Sequence, residues 1–380
     1  MNKKALISVS LAAGMLLGIG AAPAISRIEN RQGLVAVAAT SGTTTEGWKF
    51  STDGTSCTIT GAENTVQGDV AIPASIQMED GTVLPVTKIS GGFRSNAKYI
   101  TGLTIPASVN LIDNYAFKGL NNLTSVKFEG KILVLNEDTF ADCTSLESVT
   151  LPEGLMEIGT SCFAGCTRLN NIKLPSTLST IGSKAFASCE SLTSITIPAK
   201  VTEITGEAFK RCKALKNVTI ENGVKTIGFA SFGACDSIEE ITIPKSVNTI
   251  SISNSYCMFS DWGNYAANIK SVTIENPDCE FWLFQGTEEK PLTIYGYEGS
   301  TAQKYCEKNG ERMHVVFKSI GEKPAPEPVQ DTGLFCDANG NGEIDVADAQ
   351  FVLTYYVEQM AGNSPSWYEI TKNPKAPDAP

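Results

Sequence analysis

From about residue 100 to residue 250, apolar residues return at a fixed interval. Phe117, Phe140, Phe163, Phe186, Phe209 and Phe232 are 23 apart, and so are Cys143, Cys166, Cys189, Cys212 and Cys235. Ile105, Phe128, Leu151, Leu174, Ile197, Ile220 and Ile243 keep the same interval, and proline follows five of the seven. One copy is filled by Leu146, Val149, Leu151, Leu155, Ile158, Phe163 and Cys166, with polar residues between them. A repeat this short cannot bury enough apolar surface to offset the entropy of ordering its own backbone. Neighbouring copies must therefore cover one another, which predicts a solenoid with one short strand per coil.

In such a stack each cysteine lies above the next at a small buried position, a slot that Leu120 fills in an earlier coil. Cys162 occupies the place of Ala116, Ala185 and Ala208. The spacing points to thiols that act as small hydrophobes rather than to disulfides or a metal site. The residue between the last two apolar strand positions is Thr104, Lys127, Thr150, Lys173, Thr196, Thr219 and Thr242, which suits a solvated sheet face and offers no aromatic platform for a sugar.

The period breaks between Ile250 and Ile274, and nine of the thirty aromatic residues fall between Tyr256 and Tyr297. Tyr256, Trp262, Tyr265 and Trp282 make this stretch a candidate patch for a protein or glycan ligand. Hydrophobic packing of the solenoid's end is the alternative.

Segments such as TSITIPAKVTEITGEAFKRC and NNIKLPSTLSTIGSKAFASC resemble the BspA-like (Treponema pallidum type) leucine-rich repeats of secreted and surface bacterial proteins. The resemblance runs over roughly residues 48–317 and implies an α/β leucine-rich repeat solenoid of 23-residue coils. WKFSTDGTSCTITG is similar to that family's opening strands. LTIYGYEGSTAQKYCEKNG is similar to its terminal cap, with Ser300 or Thr301 starting a short helix before a strand over 313–317.

Composition narrows the partners. With 30 Lys and Arg against 41 Asp and Glu the net charge is −11, so nucleic acid is a poor partner. The single histidine, His314, precludes a multi-histidine metal site and discounts histidine-based catalysis. Lys3 and Lys4 precede an uncharged apolar run from Ala5 to Ala22. This is the layout of a secretory signal, with cleavage expected after Ala24 or Ala38, and no later stretch is long enough to span a bilayer.

Residues 321–332, GEKPAPEPVQDT, read as a semi-extended tether. In the sequence that follows, Asp337, Asn339 and Asn341 fall at positions 1, 3 and 5 of a calcium loop and Gly342 at the sharp turn. Glu343 supplies a carbonyl at position 7, Asp345 stands at 9, and Asp348 closes the loop at 12 in place of the usual glutamate. A helical apolar stripe of Ala349, Val352, Leu353, Tyr356 and Val357 follows at once. Proline-rich sequence upstream leaves no entering helix, which excludes a helix-loop-helix pair.

A calcium loop with only an exiting helix resembles the dockerin module, which docks into cohesin domains of cellulosomal scaffold proteins. The resemblance implies that Ca2+ is the cofactor and that Val346, Ala347, Leu353, Thr354 and Glu358 face the cohesin. Dockerins usually carry two such segments, and one is present here.

The expected organisation is a signal and leader over 1–38, the solenoid with its caps over 39–320, the tether over 321–332, and a small α-helical EF-hand-like, dockerin-like module over 333–380. The expected function is that of a secreted, non-catalytic interaction protein, bound through calcium to a cohesin-bearing scaffold of the cellulosome type and so associated with polysaccharide breakdown. A free surface adhesin with a vestigial dockerin, or a dockerin-carrying polysaccharide hydrolase, are the alternatives.

Overall fold

The computed structural model describes residues 28–29, 35–36, 40–96, 98–250, 258–259, 268–281 and 284–324. The chain divides into two compact units, Met1–Gly296 with Ser300–Ser319, and Tyr297–Gly299 with Ile320–Pro380. The first is a mostly-β solenoid.

Each coil contributes two strands, where one was expected. The longer strands, among them Ile100–Ile105, Ser125–Phe128, Ser194–Ile197, Asn217–Ile220 and Glu240–Ile243, line one face. They pair in parallel one repeat apart within three separate sheets, with Val126 beside Leu103 and Val149 in one and Ile195 beside Val218 in another. On another face lie two-residue strands from Val134–Leu135 to Glu280–Phe281, forming a seven-stranded parallel sheet. Leu135, Ile158, Ile181, Ile204, Ile227 and Ile250 form its buried column. Two residues cannot display the alternation by which a strand is recognised, so this second sheet is hidden in the sequence.

Between the two sheets the chain turns back through a tight segment that also pairs from coil to coil. The backbone N–H of Phe117 donates to Thr139, that of Phe140 to Cys162, and so on through Phe232 and Met258, at 2.8–2.9 Å. The residue two before each phenylalanine is left-handed and is never glycine: Tyr115, Asp138, Ser161, Lys184, Glu207 and Ala230 all have φ between 46° and 61°. Such a backbone is unfavourable for an L-residue, and here the hydrogen bonds to the next coil hold it. These left-handed residues also interrupt any helix on the return path. The expected α/β class is accordingly reduced, among the described residues, to a β-rich solenoid with one helix.

The core is a set of columns. Successive phenylalanine rings from Phe117 to Phe232 stack with centroids 5.3–5.5 Å apart and planes within 16°. Each thiol of the cysteine column donates to the carbonyl of the phenylalanine in the preceding coil: Cys143 to Phe117, Cys166 to Phe140, Cys189 to Phe163, Cys212 to Phe186 and Cys235 to Phe209, at 3.1–3.3 Å. The nine described cysteines are free and buried, in line with the small-hydrophobe reading.

Both ends are closed by different structure. Before the coils, Trp48–Thr52 pairs antiparallel with Cys57–Ala62, and Trp48 meets Phe93 edge-on at 6.3 Å, continuing toward the phenylalanine column. At the far end the expected helix is present as Thr301–Met313, followed by the strand Val315–Glu322. Ser300 caps its N-terminus by accepting from the Gln303 N–H, and His314 ends it in a left-handed conformation.

Candidate interaction surface

The longer strands place their outward residues in register. Thr104 lies beside Lys127 and Lys127 beside Thr150, Thr196 beside Thr219, and Thr242 beside Thr273. Lys127, Thr150, Lys173, Thr196, Thr219 and Thr242 are exposed, as the alternation requires. Alongside them, ion pairs link adjacent coils: Arg168 to Glu147 at 2.6 Å, Lys213 to Glu190 at 2.8 Å and Lys270 to Glu239 at 2.7 Å. The Lys270 ammonium holds the Glu239 carboxyl below its ordinary range. This face is polar, and ion pairs cross it from coil to coil. It can offer hydrogen bonds to a partner, and among the described residues none of the outward strand positions from Thr104 to Thr273 is aromatic.

Part of the aromatic stretch turns inward. Phe259 and Phe284 are buried, and Phe284 lies 5.1 Å from Phe281, whose ring meets Tyr305 of the cap helix at 5.0 Å. The Tyr305 hydroxyl donates to the Phe284 carbonyl at 2.7 Å. These residues are packing, as the alternative reading of the stretch had it. Tyr256, Trp262, Tyr265 and Trp282, the candidate ligand patch, lie outside the described residues.

The residues expected to form a calcium loop, Asp337, Asn339, Asn341, Glu343, Asp345 and Asp348, and those expected to face a cohesin, Val346, Ala347, Leu353, Thr354 and Glu358, also lie outside them, as do residues 1–27 of the expected signal and leader. Among the described residues no three His, Cys, Asp or Glu side chains stand together so as to hold a metal. No described helix is long and apolar enough to cross a membrane.

Two further surface features had no signal in the sequence. Leu111, Leu133 and Met156 are exposed on adjoining coils beside the two-residue strands. On the turn segment, acidic residues gather near Lys118 and basic ones near Glu207. Lys118 meets Asp138 at 2.6 Å, and Lys210 and Lys184 meet Glu207 at 2.6 and 3.2 Å. Burial alone would raise the Glu207 carboxyl, but hydrogen bonds from Lys210 and Lys184 outweigh it and hold the group ionised.

The sequence pattern described as the BspA type leucine-rich repeat region, of six copies, matches residues 87–214 and 134–262. The repeats are of the BspA type. The chain is similar to the leucine-rich repeat protein of T. pallidum, at 24% identity over 53% of this chain and 87% of that one, with a TM-score of 0.44. It is similar also to a leucine-rich repeat protein of Bacteroides ovatus, at 20% identity over 75% and 77% with a TM-score of 0.49. The pneumococcal vaccine antigen PcpA shares 18% identity over 76% of this chain and 99% of that one, with a TM-score of 0.37. No curated protein matches. The BspA-type repeats thus span the coils in which the three columns of hydrogen bonds and stacked rings are continuous.

Proposed function

We propose that this chain is a secreted, non-catalytic recognition protein whose BspA-type solenoid displays a surface to a protein or glycan, and whose C-terminal segment docks through calcium onto a cohesin-bearing scaffold. The observation that carries the docking part is the spacing of oxygen donors. Asp337, Asn339, Asn341, Glu343, Asp345 and Asp348 follow the 1, 3, 5, 7, 9, 12 pattern with Gly342 at the turn, which is the chemistry a hard divalent cation requires. Aspartate at the last position has shorter reach than glutamate, so affinity toward the weak end of such loops is expected. The recognition part is supported by the polar face of the longer strands, whose outward residues recur every 23 residues. A catalytic reading would need converging acids or an activated nucleophile, and the outward strand residues are threonine and lysine instead.

Calorimetric titration of calcium into the full chain should give a one-site isotherm that Asp337→Ala abolishes while the thermal melt of the solenoid is unchanged. Immobilised cohesins should then retain the wild type in calcium and release it in EGTA. Absence of calcium heat would overturn the docking proposal. Calcium binding without capture by any cohesin would leave the adhesin reading in its place, and hydrolysis of plant polysaccharide by the pure protein would overturn the non-catalytic one.

A further inference from the structure

Five of the nine described cysteines, Cys143, Cys166, Cys189, Cys212 and Cys235, stand in one column, free and 0% exposed. Each sulfur lies 3.1–3.3 Å from the carbonyl of the phenylalanine in the preceding coil. These contacts exist only between coils. A coil that leaves the stack uncovers its thiol and releases the S–H in one event, and an uncovered thiol recovers the thiolate fraction by which it attacks disulfides.

The period also decides which cross-links the fold can hold. Successive coils lie about 4.8 Å apart, a separation of backbones that a disulfide spans. Cysteines two coils apart are about 10 Å away, beyond its limit of about 7 Å. Of the ten ways to pair the five cysteines, four join adjacent coils and six skip at least one. In the unstacked chain adjacent members are 23 residues apart and the others 46 to 92, and each doubling of a loop disfavours closure only about threefold. Cross-linking of the open chain is therefore not confined to the pairs that the stack can hold. Cys57, before the coils, and Cys306, in the cap helix, add pairs that would span nearly the whole stack.

We infer that the cysteine column is a redox-sensitive switch built into the repeat. Stacked coils withhold the thiols from a low-molecular-weight disulfide such as oxidised glutathione. Unstacked coils let it cross-link thiols of coils that are not neighbours, so that oxidation turns unfolding into a one-way step.

The chemistry is two successive exchanges. The thiolate of one cysteine attacks a sulfur of oxidised glutathione, forming a mixed disulfide and expelling one glutathione thiolate. The thiolate of a second cysteine attacks the protein sulfur of that mixed disulfide and expels the other glutathione thiolate. Two protein thiols are oxidised to one disulfide, one oxidised glutathione is reduced to two glutathiones, and the two protons pass through solvent to the expelled thiolates. Dithiothreitol reverses the same exchanges.

The full chain, unfolded in denaturant and then diluted into buffer, should regain its β-type circular dichroism spectrum and cooperative melt when dithiothreitol is present throughout. Millimolar oxidised glutathione in the denaturant should lower the recovered native fraction about tenfold or more. Dithiothreitol added at dilution should restore it, and folded protein held for the same time in the same oxidant should keep its spectrum and melt. Peptide mapping of the oxidised chain should find disulfides between cysteines of coils that are not neighbours, which separates cross-linking from capping by glutathione. Full recovery of the oxidised chain without reductant would overturn the inference, as would loss of the folded protein as fast as the unfolded. So would a reduced chain that does not refold, a failure that dithiothreitol leaves unreversed, or a map holding only glutathione adducts or disulfides between adjacent coils.

Discussion

At the scale of the residue, the cysteine column shows how a group that is reactive elsewhere is made inert. Burial is the principal cause of the shift in every thiol of the column for which one is resolved. It pushes Cys143 up to about 12 and Cys166 and Cys212 well above the ordinary value, while hydrogen bonds to backbone oppose it only in part. At pH 8 a thiol at about 12 is ionised in about one molecule in ten thousand, and the thiolate is the species that attacks a disulfide reagent. The native protein should therefore leave the nine described thiols unmodified by Ellman's reagent at pH 8, while denaturant should release all eleven. Rapid modification of more than two native thiols would contradict this. The folded state holds the proton more tightly than the unfolded chain does. The contribution is thus complete below the ordinary thiol value near 9 and is lost as pH rises toward 12. Cysteine suits the slot because the S–H both fills it and reaches the Phe carbonyl 26 residues earlier; Leu120, at the first coil of the column, supplies only the volume.

At the scale of the element, the phenylalanine column has no helix or long strand to support it and rests on the coil above and below. Phe186 lies between Phe163 and Phe209 at 5.4 and 5.3 Å, almost parallel to both. Phe186→Ala removes one ring and both stacking contacts. It should cost about 3–5 kcal/mol, read as a fall in the midpoint of chemical denaturation, and Phe186→Leu should cost clearly less. Equal losses from both would mean that the stacking itself contributes little.

The columns were legible because a period of 23 exposes any position with one dominant residue type, and the cap helix because serine precedes a helical run at Ser300. The two-residue strands and the left-handed turn were not. Nothing in the residue types Asp138, Lys184 and Glu207 announces a positive φ; the hydrogen bond from each N–H to the next coil imposes it, and that bond exists only once the coils are stacked. The charge clusters around Lys118 and Glu207 were invisible for the same reason, since their members are not notable until the coils are stacked.

At the scale of the whole molecule, interactions between neighbouring coils replace a single central core, so stability depends on the number of coils and on their register. Removal of residues 165–187 is the decisive test, because it joins Ala164 to Ser188, the residue that takes the place of Gly165 in the next coil, and both Gly165 and Ser188 are left-handed. The phenylalanine, cysteine and isoleucine columns each lose one member and close again. This variant should fold, with a β-type circular dichroism spectrum, a cooperative melt and a lower midpoint than the full chain. Removal of residues 165–184 deletes three residues fewer yet sets Ala185 in the place of Gly165. Phe186, Cys189 and Leu192 then fall out of line with their columns, so apolar side chains would face water and polar ones the interior. That shorter deletion should abolish the cooperative transition. If both variants melted alike, the rungs would be independent of register, and the pairing of one coil with the next could not be what holds the molecule together.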